Sequence, residues 1–356
     1  MRGVFPPLDQ KLRLRHDHWS AGAARVATRL GLQAKSFDLA AAAFGDAVGR
    51  EMSADSLRRI TEEWGQAVAA HRQGEAERAN AVAQRGETPE DRRVTEVAPI
   101  QGQANLSTDG AMLRVRGEGW KEVKLVAVSE VTVRPAARRA SQGPSRRSDD
   151  PLVALVRHSY QAGLWDADEM ARHQYAEAMR RGLDHSRKRG SVHDGALWIK
   201  RITDLNFPGI TQVVDWQHAG DHLWAVGNAL FGEHTPASQQ WTEQHLDGLW
   251  DGCVEEIVSA LDRLDLRQEH YPALVREAPD YFRSNQDRMR YDAFRAQGYP
   301  IGSGTVESGA NTVVHHRMHR PGRGWQRQNG HAMLAALSEL HSDRFDLAWR
   351  SIFSLS

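Results

Sequence analysis

Between positions 20 and 85 apolar residues recur at three- to four-residue spacing, as at Ala24, Thr28 and Leu30 and again at Leu57, Ile60 and Trp64. That is the period of amphipathic helices. Within this stretch S-F-D-L-A-A-A-A-F-G-D-A-V-G-R-E-M-S-A-D-S-L-R-R-I-T-E-E-W reads as a helix, a break at Gly49, and a second helix capped by Ser53. The spacing is that of a helix-turn-helix, whose second helix would turn Arg58 and Arg59 toward a duplex. An ordinary helical hairpin carries the same pattern. Residues 1–95 are therefore expected to form an N-terminal all-α, DNA-binding-like module, closed by the polar run Q-R-G-E-T-P-E-D-R-R.

From position 96 the period changes. A-N-L-S-T-D-G-A-M-L-R-V-R and G-E-G-W-K-E-V-K-L-V-A-V-S-E-V-T-V are alternating, β-rich stretches parted by Gly117 and Gly119. They predict a meander of about three strands, with Asp109 in the first or at its end. Residues 134–150, rich in Arg, Ser and Pro, predict an exposed loop. A helical pattern over 166–189 follows, then short strands at about 190–194 and 210–216 around one helix. Positions 219–299 are helical throughout, with Trp224, Trp241 and Trp250 on the helices, and predict an all-α insertion. Y-P-I-G-S-G-T-V-E-S-G then turns into a closing helix with Glu307 near its start, so that 300–356 completes the core begun at 96–218. Three strands, a helix, a strand, a helix, a strand and a closing helix predict an α/β (α+β) fold. It is a ribonuclease H-like mixed sheet with helices on both faces.

Composition narrows this little. Lys plus Arg and Asp plus Glu both number 46, so only local clusters can argue for a nucleic-acid partner. The single cysteine, Cys253, excludes a disulfide framework and a Cys-rich zinc site. The longest apolar run, near positions 39–44, is too short to span a bilayer, and no signal-peptide layout opens the chain. A soluble, cytoplasmic protein is expected.

The carboxylates fall at informative places. Asp109 lies on the first predicted strand, Asp194 ends the fourth and Glu307 rides the closing helix. Three acids distant in sequence would thus meet at one edge of the sheet, where hard oxygen ligands suit two Mg²⁺ or Mn²⁺ ions. Such a pair catalyses in-line phosphodiester displacement. Each acid alone also fits a turn or a cap, D-G being a common turn dipeptide. Asp215, after I-T-Q-V-V, could equally be the second ligand; strand order favours Asp194. Beyond Glu307 the run H-H-R-M-H-R-P-G-R-G-W-Q-R gathers His315, Arg317, Arg320, Arg323, Trp325 and Arg327. It reads as a phosphate-contacting strip with a tryptophan able to stack on a base, or as a solvated basic face. His315 and His319, four apart, match a zinc spacing for which no third ligand is evident.

The stretches D-G-A-M, G-W-K-E-V-K, H-D-G-A-L-W-I, F-P-G, D-W-Q-H and I-G-S-G-T-V-E-S together resemble the Kra-type insertion-sequence DDE transposases, bacterial relatives of the Mutator-like transposases. The resemblance extends from F-P-P-L-D-Q near the start to W-Q-R-Q-N-G-H-A-M-L-A-A-L near the end. It implies that Asp109, Asp194 and Glu307 are the catalytic, metal-binding acids, and that Asp215 and His218 match the D-x-x-H signature as accessory groups. His193 stands where a small residue is more usual. The implied activity is metal-dependent cleavage at element ends and strand transfer into target DNA by a homodimer or higher oligomer, in a bacterial, nucleoid-associated setting. A decayed DNA-binding copy and a nuclease without strand transfer are the alternatives.

Overall fold

Helices α1 (Ala21–Gln33), α2 (Phe37–Val48) and α3 (Ala54–Gln84) each begin at a serine, Ser20, Ser36 and Ser53, whose hydroxyl accepts the backbone N–H three residues on. These bonds satisfy donors that a first helical turn leaves unpaired. Gly49 ends α2 in the left-handed region at φ 71°, which glycine enters without a side-chain clash. The computed structural model describes residues 19–85, 99–135, 151–319 and 324–354.

The helix after Gly49 is 31 residues long, far beyond what a groove-reading helix needs. Its apolar face, with Leu57, Ile60, Trp64 and Val68, enters one hydrophobic cluster with Leu113, Leu125, Val313, Met333, Leu337 and Trp349. The helices expected to stand apart as residues 1–95 thus share a core with the sheet. Gly65 permits the closest approach: a Cβ there would lie 2.5 Å from the Ala332 carbonyl oxygen.

The sheet has five strands, β1 (Gln103–Val115), β2 (Gly119–Arg134), β3 (Leu152–Gly163), β4 (Lys188–His193) and β5 (Thr211–Val214), ordered β3-β2-β1-β4-β5. Pairing is antiparallel from β3 to β1 and parallel from β1 to β5. The alternating region 104–133 makes two long strands rather than three. The third lies at Leu152–Gly163, past the Arg-Ser-Pro stretch, most of which, at 136–150, falls outside the described residues. The helix predicted to run to 189 is α4 (Ala167–Arg180); Gly182, at φ 72°, a 3₁₀ turn at Leu183–His185 and an earlier start of β4 take up the rest. The last strand is also shorter than predicted, because Asp215 already caps the following helix.

Helices α4 and α5 (Leu197–Asn206) cover one face, packing Met170, Ala178 and Ile202 on Leu106, Val126 and Val128. The helical region beyond β5 comprises α6 (Trp216–Phe231), α7 (Pro236–Trp250), α8 (Val254–Asp262), α9 (Ala273–Asn285) and α10 (Tyr291–Ala296). It is all-α among the described residues, and its core, with Leu223, Phe282 and Tyr291, continues onto Val192, Val213 and Val214 of the sheet. The chain closes with α11 (Gly304–Gly309), α12 (Arg327–His341) and α13 (Phe345–Ser354). After Gly309, α11 runs on through a π-helical turn at Ala310–His315 into His316–Met318. The protein is a mixed α/β structure. No helix among the described residues is long and apolar enough to cross a membrane.

Candidate active site

Strand register builds the site. The last rung between parallel β1 and β4 pairs Ser107 with Val192, so Asp109 and Asp194 each stand two residues past it. The last rung between β4 and β5 pairs His193 with Val214, so Asp194 and Asp215 each stand one residue past that one. Neighbouring strands lie about 4.8 Å apart. Three aspartates therefore sit at one level, beyond the carboxyl ends of the parallel pairings, where open α/β sheets place their ligands.

Glu307 is supplied by a helix rather than a strand, on the first turns of α11. Gly309 lets that helix settle on the sheet: a Cβ there would lie 2.6 Å from a Tyr160 ring carbon and 3.2 Å from Leu125. Gly309→Ala should push α11 off the sheet at a cost of about 1–3 kcal/mol. A urea midpoint equal to wild type would show that the helix has room to spare.

Burial pushes the Asp109 carboxyl up to about 6; the Gly110 N–H opposes this, the negative charges of Asp194 and Glu307 add to it, and His218 offsets them in part. The acids are therefore close enough to repel. Each keeps one oxygen engaged: Asp109 Oδ1 accepts from Gly110 N–H at 2.7 Å, Asp194 Oδ1 from Ala196 N–H at 2.8 Å, and Glu307 Oε1 from Ser303 Oγ at 3.0 Å. The second oxygen of each has no protein hydrogen-bond partner among the described residues.

Asp215 differs in kind. It is 2% exposed, its Oδ1 accepts from His218 N–H at 2.8 Å and its Oδ2 accepts from Ser303 N–H. Both oxygens are spent holding the start of α6 and the Gly-Ser-Gly turn that delivers Glu307. His193, fully buried, has an Nδ1 that accepts from Gly195 N–H at 3.1 Å, which leaves Nε2–H to donate to Gln212 Oε1 at 3.1 Å. Burial holds its pKa down to about 4, so the ring is a neutral prop under the Asp194–Gly195 turn.

Among the described residues no three His, Cys, Asp and Glu side chains are already gathered into a metal-holding group. The donor set nonetheless fits a hard divalent cation: three carboxylates, each with an oxygen to offer, whose mutual repulsion a cation would remove.

The DNA-contact candidates divide. Arg58 pairs with Asp55 at 2.5 Å and Glu62 at 2.7 Å, and the exposed Arg59 pairs with Asp55 at 3.1 Å. Arg317 is 3% exposed; its Nε donates to Gly31 O at 3.0 Å and its guanidinium lies 4.5 Å over the Phe37 ring. Trp325 donates from Nε1 to Met318 O at 3.0 Å and meets Phe37 edge-on. Both thus pin the C-terminal region to α1 and α2. Arg58, Arg317 and Trp325 line one cleft of about 810 Å³ with Lys35, Arg116 and Asn329. Arg327 lies elsewhere, paired with Glu118 at 2.7 Å, and His315 Nδ1 is 3.2 Å from Asn311 Oδ1. Arg320 and Arg323 lie outside the described residues.

Sequence reasoning missed Tyr281, whose hydroxyl donates to the Asp194 carbonyl oxygen at 3.0 Å, and with it Asn285 and Arg288. Their four- and three-residue spacing marks one helical face, but no local signal aims that face at Asp194. No protein-family model matches this chain, and no curated protein matches it in sequence.

Proposed function

We propose that this protein is a metal-dependent DNA-processing enzyme of the DDE transposase kind, on a ribonuclease H-like sheet, with Asp109, Asp194 and Glu307 as its metal-binding acids. One observation carries the reading: Asp109 and Asp194 stand at one level past the β1–β4 pairing, with Glu307 near enough for its charge to raise the Asp109 carboxyl. The strand order, the placement of α11 and the sequence resemblance to Kra-type transposases point the same way.

Mg²⁺ or Mn²⁺, bound as a pair by these acids, would supply activation of an attacking water or 3′-hydroxyl and stabilisation of the leaving oxygen. The chain's own residues do the rest. Asp109 is held rigid within β1, opposite Leu125 of β2. Asp194 sits on a turn propped by His193 and Tyr281. Asp215 locks the Gly-Ser-Gly turn, and Ser303 orients the Glu307 carboxylate from the same turn. His218, half-buried and acting electrostatically on Asp109, is placed to steady an incoming phosphate. Element-end and target DNA are the substrates, and two ends held together require at least a dimer.

Incubating the protein with DNA carrying the element ends and Mg²⁺ or Mn²⁺ tests this. Cleavage and end joining are expected; cleavage that persists in Asp109→Ala and Glu307→Ala would overturn the assignment, and cutting without joining would make the protein a nuclease. Protonation of Asp109 competes with the metal, so Mn²⁺ affinity should rise with pH to a plateau above about 6. An affinity flat between pH 5 and 7.5 would detach Asp109 from the metal.

A further inference from the structure

The helical region between β5 and the closing helix does more than pack. Tyr281, Asn285 and Arg288, on α9 and the 3₁₀ turn Gln286–Arg288 that continues it, form a polar face, of which Tyr281 and Asn285 press against the Asp194–Gly195 turn. The Tyr281 hydroxyl holds the Asp194 carbonyl oxygen at 3.0 Å, while its ring stacks on His222 at 3.8 Å and 13°. Asn285, 2% exposed, donates from Nδ2 to Tyr281 O at 2.9 Å. Gly195, at φ +92°, where a side chain is strained, sits tightly packed: a Cβ would lie 3.1 Å from the Tyr281 ring and 3.3 Å from Asn285 Oδ1. Arg288 is 6% exposed, and both its terminal nitrogens are buried without a hydrogen-bond partner among the described residues.

A buried guanidinium without an acceptor is disfavoured by desolvation unless its charge is used. The carboxylates whose charge Arg288 feels are Asp204, Asp194 and Asp287. The face therefore offers the Asp194 turn three things: a main-chain tether, close packing against Gly195, and a fixed positive charge.

We infer that this face of α9 is a positioning element for the second metal ligand, with Tyr281 as its principal residue. The inference rests on the active-site reading above. A carboxylate on a short turn past a strand end has rotational freedom that a metal must remove on binding. Tethering the Asp194 carbonyl while leaving one carboxylate oxygen unpartnered reduces that loss, as groups behind a metal's ligands generally do. The insertion thereby becomes part of the metal site without supplying a ligand.

Mn²⁺ binding to the full-length protein, measured by titration calorimetry, tests this without reference to catalysis. Tyr281→Phe keeps the ring on His222 and removes only the tether; it should weaken Mn²⁺ about tenfold. Tyr291→Phe is the control, because its hydroxyl, more deeply buried, likewise donates to a main-chain carbonyl, that of Val214 at 3.0 Å on the next strand. It should cost at least as much thermal stability as Tyr281→Phe and match wild type in Mn²⁺ affinity. Wild-type affinity in Tyr281→Phe, or equal weakening in both variants, would overturn the positioning role while leaving the acids in place. If the wild type binds no Mn²⁺, or Asp194→Ala binds it unchanged, the active-site reading falls and this inference with it.

Discussion

Glu177→Ala should cost a large share of the protein's stability, about 3–5 kcal/mol. Glu177, fully buried, accepts from Arg344 at 2.6 Å, from Gln161 at 3.2 Å and from Arg180. Arg180 also reaches Glu75 at 2.5 Å, Arg344 reaches Glu339 at 3.1 Å, and Arg72 spans Glu75 and Glu339 at 2.5 Å each. Three arginines and three glutamates therefore balance, joining α3, α4 and α12 to the segment before α13. Deleting one glutamate leaves a net positive charge where water cannot screen it, and domains of this kind have only about 5–15 kcal/mol to lose. A drop in melting temperature of roughly 10 °C or more is expected. Glu177→Met with Arg344→Met should cost less than Glu177→Ala alone, since it removes a pair rather than stranding a charge. A double variant worse than the single would show that shape rather than charge decides.

The same network sets the acid limit. Burial alone would raise the Glu177 carboxyl, but the Arg344 and Arg180 charges outweigh it and hold the group far below its ordinary 4.5. A depressed folded-state pKa means that the unfolded chain binds the proton first. The stabilisation is thus complete above about 4.5 and drains away as pH falls below it. Acid unfolding of the wild type should be steep there, and an unfolding free energy flat from pH 5 down to 3 would contradict the network's role.

The second large effect separates two neighbouring aspartates. Asp194→Asn keeps the acceptor for Ala196 N–H, so the fold should survive with a melting temperature close to wild type. Its DNA cleavage should fall by on the order of a hundredfold or more, since a metal ligand is lost. Asp215→Asn, by contrast, sets an amide group against either His218 N–H or Ser303 N–H, both of which now meet a carboxylate. It should destabilise by about 2–4 kcal/mol through a damaged helix cap and a buried donor without its acceptor. Activity would be lost with the fold. A stable, inactive Asp215→Asn beside an active Asp194→Asn would exchange their roles.

His193 shows how far sequence reasoning reached into the site. In sequence it stands out only as a histidine where a small residue is more usual, yet in the structure it is a neutral, doubly bonded support of the turn. Arg317 and Trp325 show the converse. A basic, aromatic run reads as a nucleic-acid strip, but Arg317 is buried against Phe37 and Gly31 from near the other end of the chain. Composition cannot distinguish an arginine offered to solvent from one consumed by a distant partner.

What the chain's sequence determined by itself was whatever depends on neighbours a few residues away. The serine caps at Ser20, Ser36 and Ser53, the left-handed stop at Gly49 and the long alternating strands of the first hairpin follow from hydrogen bonds and side-chain periods confined to short windows. Tertiary structure alone decided that the N-terminal helices share the sheet's core, that Leu152–Gly163 completes the antiparallel edge, and that Tyr281 returns to Asp194. It likewise decided that the three candidate acids differ from Asp215 in having an oxygen to spare. Each of these is a pairing across a wide stretch of sequence, and such pairings are settled by which surfaces can be buried together and by which buried charges and hydrogen-bonding groups then find partners.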